Sequence, residues 1–123
     1  TEYLLHCPVF DWAEHNCWHF AFDWIHLATG VVYPGATVGP TPNLRAAHRE
    51  IRLRGATLSD AFESVYERSR VPTPSLTLGD VVAATVRGSN QALGICIGRH
   101  AAFSGPQGVV YFEMRHMLHG WRV

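Results

Sequence analysis

The chain lacks several features on which common classes of function depend. It has only three cysteines in 123 residues, an odd and low number that excludes a disulfide framework and favours reduced thiols. Its ten basic residues are scattered and matched by ten acidic ones, so no basic patch predicts a nucleic-acid partner. No segment reaches the roughly 20 apolar residues of a membrane span. The opening "TEYLLHCPVF" lacks a basic start and a long apolar run, so we expect no secretory leader.

The spacing of potential metal ligands matches no common zinc site. Eight histidines are present, but the only local cluster is formed by Cys7, His15, Cys17 and His19. This set contains no C-x-x-C pair, and a helix start expected at Asn16 separates His15 from the helical face that carries His19. We therefore expect no bound metal and no cofactor.

The hydrophobic content is sufficient for one real core. Hydrophobic residues make up 47% of the chain, and 123 residues correspond to a single domain, which we place at 1–123. A net charge of zero gives little self-repulsion, and four Trp, four Tyr and six Phe are typical of surfaces that associate. The composition therefore favours a globular domain with a tendency to bind a partner.

Apolar residues at helical spacing predict a first helix over residues 16–29. Its apolar face would carry Cys17, Phe20, Ala21, Trp24, Ile25 and Ala28. Asn16 can cap its start, and Gly30 follows its end. A loop rich in proline and glycine, 31–42, leads to a second predicted helix at 43–54. A third helix is predicted at 58–69, where Thr57 and Asp60 resemble a capping box.

The second half of the chain changes to strand patterns. Four short apolar segments bounded by turn residues predict four strands: "DVVAATVRG", "QALGICIG", "HAAFSG" and "GVVYFEM". The last two are joined by a turn over residues 105–108. The ending "MRHMLHGWRV" predicts a short helical turn and a final strand. Helices followed by an antiparallel meander indicate an α+β fold.

Cys17 lies in the first turn of the first predicted helix, where the unpaired amide groups favour a thiolate. A nucleophilic cysteine also needs a histidine that accepts its proton, and this base usually comes from a distant strand. His15 and His19 are close in sequence but have no obvious geometry for that role. The alternative interpretation is a small buried apolar residue, which we also expect of Cys7 and Cys96.

Three segments in order, "NCWHFAFDWIHLATG", "LTLGDVV" and "ALGICIG", resemble the NlpC-type papain-like cell-wall peptidases. In that family Asp-Cys opens a helix, Gly-Asp precedes the first strand, and a later strand begins His-Val-Gly-Ile. The similarity to these peptidases extends from about residue 11 to residue 112. The chain resembles more closely a family of small phage-encoded proteins from tail-assembly gene clusters. The resemblance implies a papain-like, NlpC-type domain in which N-terminal helices pack on an antiparallel sheet.

The resemblance also implies which catalytic positions are occupied. Cys17 takes the nucleophile position, Asn16 replaces the preceding aspartate, and residues 79–80 supply the Gly-Asp pair. The general-base position falls on Ala92, which can accept no proton, so the activation of the thiol would be lost. His100 and His15 remain as candidate replacement bases.

Aromatic residues extend onto the side of the first helix opposite its apolar face. Trp18 and Phe22 lie four residues apart there, and Trp12 precedes them. Two interpretations stay open, namely cover by the N-terminal segment or the loop 31–42, and a protein–protein surface. His116 and His119 are expected at the surface.

The resemblance implies a component of a bacteriophage tail, at the tail tip or baseplate hub, and the alanine at position 92 favours a non-enzymatic structural or assembly role for it. It would be synthesised in the host cytoplasm, bind other virion proteins and reside in the virion. The alternative is an active cysteine endopeptidase that cleaves peptidoglycan, with Cys17 as nucleophile and His100 or His15 as base. A third possibility is a small cytoplasmic binding domain.

Overall fold

The computed structural model describes residues 17–33, 57–87, 90–105 and 108–123. Within these ranges the chain forms two helices, named α1 and α2, and five strands, named β1 to β5. The bounds in chain order are α1 Cys17–Thr29, α2 Leu58–Tyr66, β1 Val81–Arg87, β2 Asn90–Cys96, β3 His100–Gly105, β4 Gly108–Glu113 and β5 His119–Trp121. The α+β class is confirmed. The predicted helix at 43–54 and residues 34–42 of the predicted loop lie outside the described residues.

Helix α1 confirms the first predicted helix. Its last turn closes at Gly30, which has φ +75° and donates its N–H to the His26 carbonyl at 2.8 Å. The predicted apolar face is wrong at its C-terminal end, because Ala28 is exposed. The buried residues of the helix instead cluster in its first nine positions: Trp18, Phe20, Ala21, Phe22 and Ile25. The helix therefore packs through its N-terminal part, and its last turn is exposed.

Helix α2 begins as predicted and ends three residues earlier. The Thr57 side chain accepts the Asp60 N–H at 3.1 Å, which confirms the expected cap. Glu67 adopts a left-handed conformation with φ 59° and ends the helix. The chain then folds back, so that Arg70 contacts Asp60 at 2.9 Å and Glu63 at 3.0 Å. These ion pairs replace the last helical turn that the sequence suggested.

The five strands form one antiparallel sheet in the order β4-β3-β2-β1-β5. The predicted meander from β1 to β4 is confirmed, as are the helical turn, Met114–His116, and the final strand. The chain returns through that turn to pair β5 with the far side of β1, with Val81 opposite Trp121. The ladder between β2 and β3 is short and contains two residue pairs, Ile95↔Ala102 and Cys96↔Ala101.

Both faces of the sheet bury apolar side chains, because successive residues of a strand point to opposite faces. One face carries Val81, Ala83, Leu93 and Trp121, and both helices pack on it. The other face buries Val82, Ala84, Cys96, Phe103 and Met117. Cys96 is 1% exposed, which confirms its expected place in the core. No helix in the described ranges has both the length and the apolar character needed to cross a membrane.

Candidate functional site

The Cys17 sulfur lies where β2 and β3 separate. Cys96 donates its N–H to Asp80 at 2.8 Å, so the even-numbered residues of β2 bond to β1 and the odd-numbered amides point towards β3. The β2–β3 ladder ends at Ile95, and the next such amide belongs to Leu93. That Leu93 N–H hydrogen-bonds to Cys17 instead. The start of α1 therefore occupies the opening between the two strands.

Two opposing effects act on this thiol. Burial of the side chain raises the Cys17 pKa and is the larger effect. The backbone N–H groups of Leu93, Cys17 and Trp18 favour the thiolate, but they only partly offset the burial. None of the described residues contributes an imidazole to this balance. The sulfur is therefore a protonated thiol at neutral pH.

The position expected to hold the general base lies on the wrong face. Ala92 is opposite Ala84 in the β1–β2 ladder and packs against the Val82 side of the sheet. Its neighbour Leu93 points to the helical face. The inference that β2 faces the thiol holds, but a side chain at position 92 points away from α1, because the strand alternates between faces.

Of the two candidate bases, His100 is not brought to the thiol. His100 is exposed at the start of β3, where its carbonyl accepts the Ile97 N–H at 2.9 Å. Ile97 directly follows β2 and is four residues from Leu93, which corresponds to about 13 Å along extended chain. His15 lies outside the described residues, as do Trp12, Asn16 and Cys7.

The aromatic residues of α1 are covered within the chain. Trp18 is 0% exposed and Phe22 is 7% exposed. Their rings contact Phe62 of α2, at centroid distances of 6.4 Å for Trp18 and 4.9 Å for Phe22, and Phe22 also contacts Tyr33. The interpretation of Trp18 and Phe22 as a partner surface is therefore wrong, since α2 and residue 33 cover them.

The Gly-Asp pair has a structural role. Asp80 is buried and accepts the N–H groups of Thr77 at 2.9 Å and Val123 at 3.1 Å. The Gly79 carbonyl accepts the indole N–H of Trp24 at 2.7 Å. These bonds join the start of β1 to α1 and to the C-terminal end of the chain. The hydrogen bonds of Gly79 and Asp80 therefore account for the Gly-Asp pair in structural terms, without a catalytic role.

A buried polar cluster near α2 is not predicted by the sequence patterns. Ser59 is 0% exposed, and its N–H and hydroxyl both lie 2.8 Å from the Gln91 side-chain oxygen. The same hydroxyl lies 2.8 Å from Nε2 of His119. His119 was expected at the surface but is half-buried, and burial followed by the charge of Arg70 lowers its pKa. The alternation of His119 with Trp121 in "HGW" was the available signal, because both residues point to the helical face.

His119 lies on the same face of the sheet as Leu93, the residue whose amide bonds to Cys17, and at the same level across the strands. Ala83 of β1 is opposite both Leu93 and His119, so two strand spacings, about 10 Å, separate these two residues. His119 Nε2 is occupied by Ser59, and Ala83 lies between. The cluster joins α2 to β2 and β5 rather than serving Cys17.

The family model described as "Domain of unknown function (DUF6950)" matches residues 5–123, nearly the whole chain. The chain belongs to the DUF6950 family. No curated protein and no solved structure matches it. Among the described residues of this DUF6950 domain, no three His, Cys, Asp or Glu side chains are grouped as metal ligands. What the arrangement around Cys17 supports chemically is a neutral thiol held by backbone groups.

Proposed function

We propose that this DUF6950 protein is a non-enzymatic component built on a degenerate cysteine-peptidase scaffold. The observation that carries the proposal is the environment of Cys17 at the start of α1. Its sulfur is close to the Leu93 amide, burial raises its pKa, and position 92 points to the other face of the sheet. The helix start resembles a nucleophile position, whereas the surroundings favour the unreactive form of the thiol.

The biological setting that we propose is the tail of a bacteriophage, at the tail tip or baseplate hub. This part rests on the resemblance in "NCWHFAFDWIHLATG", "LTLGDVV" and "ALGICIG". The protein would bind other virion proteins and contribute a folded surface rather than bond cleavage. Cys17, Gly79 and Asp80 all make structural contacts. These residues would therefore be retained for packing even on a scaffold that has lost its activity.

Digestion of purified peptidoglycan tests the chemical half of the proposal. We expect no release of stem-peptide fragments by the wild-type protein and no difference from Cys17→Ala. Fragments released by the wild type and absent with Cys17→Ala would instead establish the alternative, a cell-wall endopeptidase.

Complementation tests the biological half. A phage lacking the gene should fail to assemble normal tails, and both the wild-type gene and Cys17→Ala should restore infectious particles equally. Restoration by the wild type alone would show that the thiol is used. Normal tails in the deletion, together with absence of the protein from purified particles by mass spectrometry, would reject the tail role.

A further inference from the structure

The two edges of the sheet differ in their backbone hydrogen bonding. At the β5 edge, Gly120 exchanges two backbone hydrogen bonds with Val71, at 2.7 Å and 3.1 Å, so this short strand is covered. At the opposite edge, β4 pairs only with β3 within the described residues. In the part of the chain that the structure describes, the β5 edge is closed and the β4 edge is open.

Strand β4 is also uncovered on both faces. Val110, Tyr111 and Phe112 are 43%, 54% and 48% exposed, although consecutive residues point to opposite faces. Its six pairs with β3 continue without a bulge, and the strand contains neither lysine nor proline. Natural edge strands are normally protected by such residues, by bulges or by cover. An apolar, regular and exposed edge is a template for another strand.

The phase of the β3–β4 ladder fixes which backbone groups of β4 are available. Met114 donates its N–H to Arg99 at 2.9 Å, and bonded pairs alternate with non-bonded pairs along an antiparallel ladder. The even-numbered residues of β4 therefore bond to β3. The N–H and C=O groups of Val109, Tyr111 and Glu113 point outward from the sheet edge.

We infer that β4 pairs antiparallel with β4 of a second copy of this chain, about a two-fold axis that passes through Tyr111 perpendicular to the sheet. In this register Tyr111 bonds to Tyr111 of the second copy, and Val109 bonds to Glu113 of the second copy. All three outward-pointing residues of each copy find a partner. A two-fold axis in this direction keeps the faces of the two sheets continuous, so directly opposed residues share a face.

The side chains and charges fit the same register. On one face Val110 lies opposite Phe112 of the second copy, twice by symmetry, and aromatic–β-branched cross-strand pairs are favourable. The two Glu113 side chains lie four positions apart, about 14 Å along the strand, which exceeds the screening length of about 8 Å at physiological salt. Glu113 is also paired with Arg115 of its own chain at 3.1 Å, and the whole chain has zero net charge.

The association stops at two copies. The contact is isologous and uses the open edge of each chain, whereas the other edge of each sheet is already closed by Val71. A ten-stranded sheet with two closed ends results instead of a fibre. This inference does not depend on the proposed function, since it follows from the sheet alone.

Size-exclusion chromatography with light scattering on a dilution series of the whole chain tests the inference. The wild type should show twice the monomer mass at high concentration. Tyr111→Pro removes the outward N–H without removing a β3 bond and should weaken the dimer by at least about tenfold, because two symmetry-related hydrogen bonds are lost. Leu27→Lys, which changes an apolar side chain that is 63% exposed on α1, should leave the dimer intact.

Amide hydrogen exchange of the wild type gives a second readout that needs no variant. The amides of Val109, Tyr111 and Glu113 should exchange slowly at high concentration and at least tenfold faster after dilution to the monomer, while those of Val110 and Phe112 stay protected in both. A chain that remains monomeric at about 100 μM, or a dimer in which the three outward amides exchange freely, would overturn the inference.

Discussion

At the scale of single residues, the Cys17 thiol shows how position in a helix and burial oppose each other. The amides at the start of α1 and the Leu93 amide stabilise a thiolate, an effect worth about 0.3–1 kcal/mol for a helix terminus at an exposed site. Burial removes water from the same sulfur and is the larger effect, so the pKa is raised. A helix start is therefore insufficient evidence for a reactive cysteine.

Phe22 gives a residue-scale prediction about the core. Phe22→Ala should lower the free energy of unfolding by about 3–5 kcal/mol, because the ring is 7% exposed and packs against Phe62 and Tyr33. Urea denaturation followed by circular dichroism measures the change. Leu27→Ala, at an exposed site of the same helix, should cost less than about 0.5 kcal/mol. Near-wild-type stability of Phe22→Ala would contradict the burial of this side chain and indicate that it is exposed at the surface.

At the scale of elements, the Ser59–Gln91–His119 cluster joins α2 to the sheet. Gln91→Leu should destabilise the protein by about 1–3 kcal/mol, since the buried Ser59 N–H and hydroxyl lose their common acceptor. Thermal and urea unfolding measure the loss. Thr85→Val replaces an exposed polar residue directly opposite Gln91 and serves as the control, with little expected change. Equal stability of the two variants would show that the cluster contributes nothing.

Strand β2 requires glycine where Phe103 crosses it. A Cβ at Gly94 would lie 2.6 Å from the Ala102 carbonyl oxygen and 2.8 Å from the Phe103 ring, so β3 would have to shift. Gly94→Ala should therefore cost about 2–3 kcal/mol or more in unfolding free energy. Ile95→Val removes one methylene group from the next position and should cost about 0.5–1.5 kcal/mol. A Gly94→Ala protein as stable as Ile95→Val would contradict this close approach of β3.

The positions of the helices and strands were largely predictable from sequence. The end of α2, the pairing of β5 and the face to which each side chain points were less predictable. Short apolar segments bounded by turn residues located β1 to β4, and helical periodicity located α1. The end of α2 depended on Arg70 folding back onto Asp60 and Glu63, a contact over seven to ten residues that local patterns do not encode. The pairing of the three-residue β5 with β1 likewise depended on the tertiary path of the chain.

At the scale of the whole molecule, the site was predictable in outline only. The sequence indicated that Cys17 begins a helix and that β2 faces it, and both hold. It could not indicate which of Ala92 and Leu93 faces α1, since a shift of one residue in the assumed register exchanges the two faces of a strand. The aromatic residues of α1 were ambiguous for a related reason, because cover by α2 is a tertiary property.

The two-sided burial of the sheet stabilises the fold without any contribution from chemistry at Cys17. Apolar side chains on both faces, from Leu93 and Trp121 on one side to Val82 and Phe103 on the other, stabilise the sheet independently of the thiol. The DUF6950 family match extends over residues 5–123, so family membership covers this whole arrangement.

A neutral thiol at Cys17 is tested most directly by its rate of alkylation as a function of pH. Iodoacetamide labelling of the native protein, with the Cys17 peptide followed by mass spectrometry, should be slower at pH 7 than labelling of glutathione. Because the folded pKa is raised, the rate should increase only as the pH passes above the range in which free cysteine titrates, about 8.5. Rapid labelling that is constant from pH 6 to pH 9 would show a thiolate already formed at neutral pH and would contradict the account.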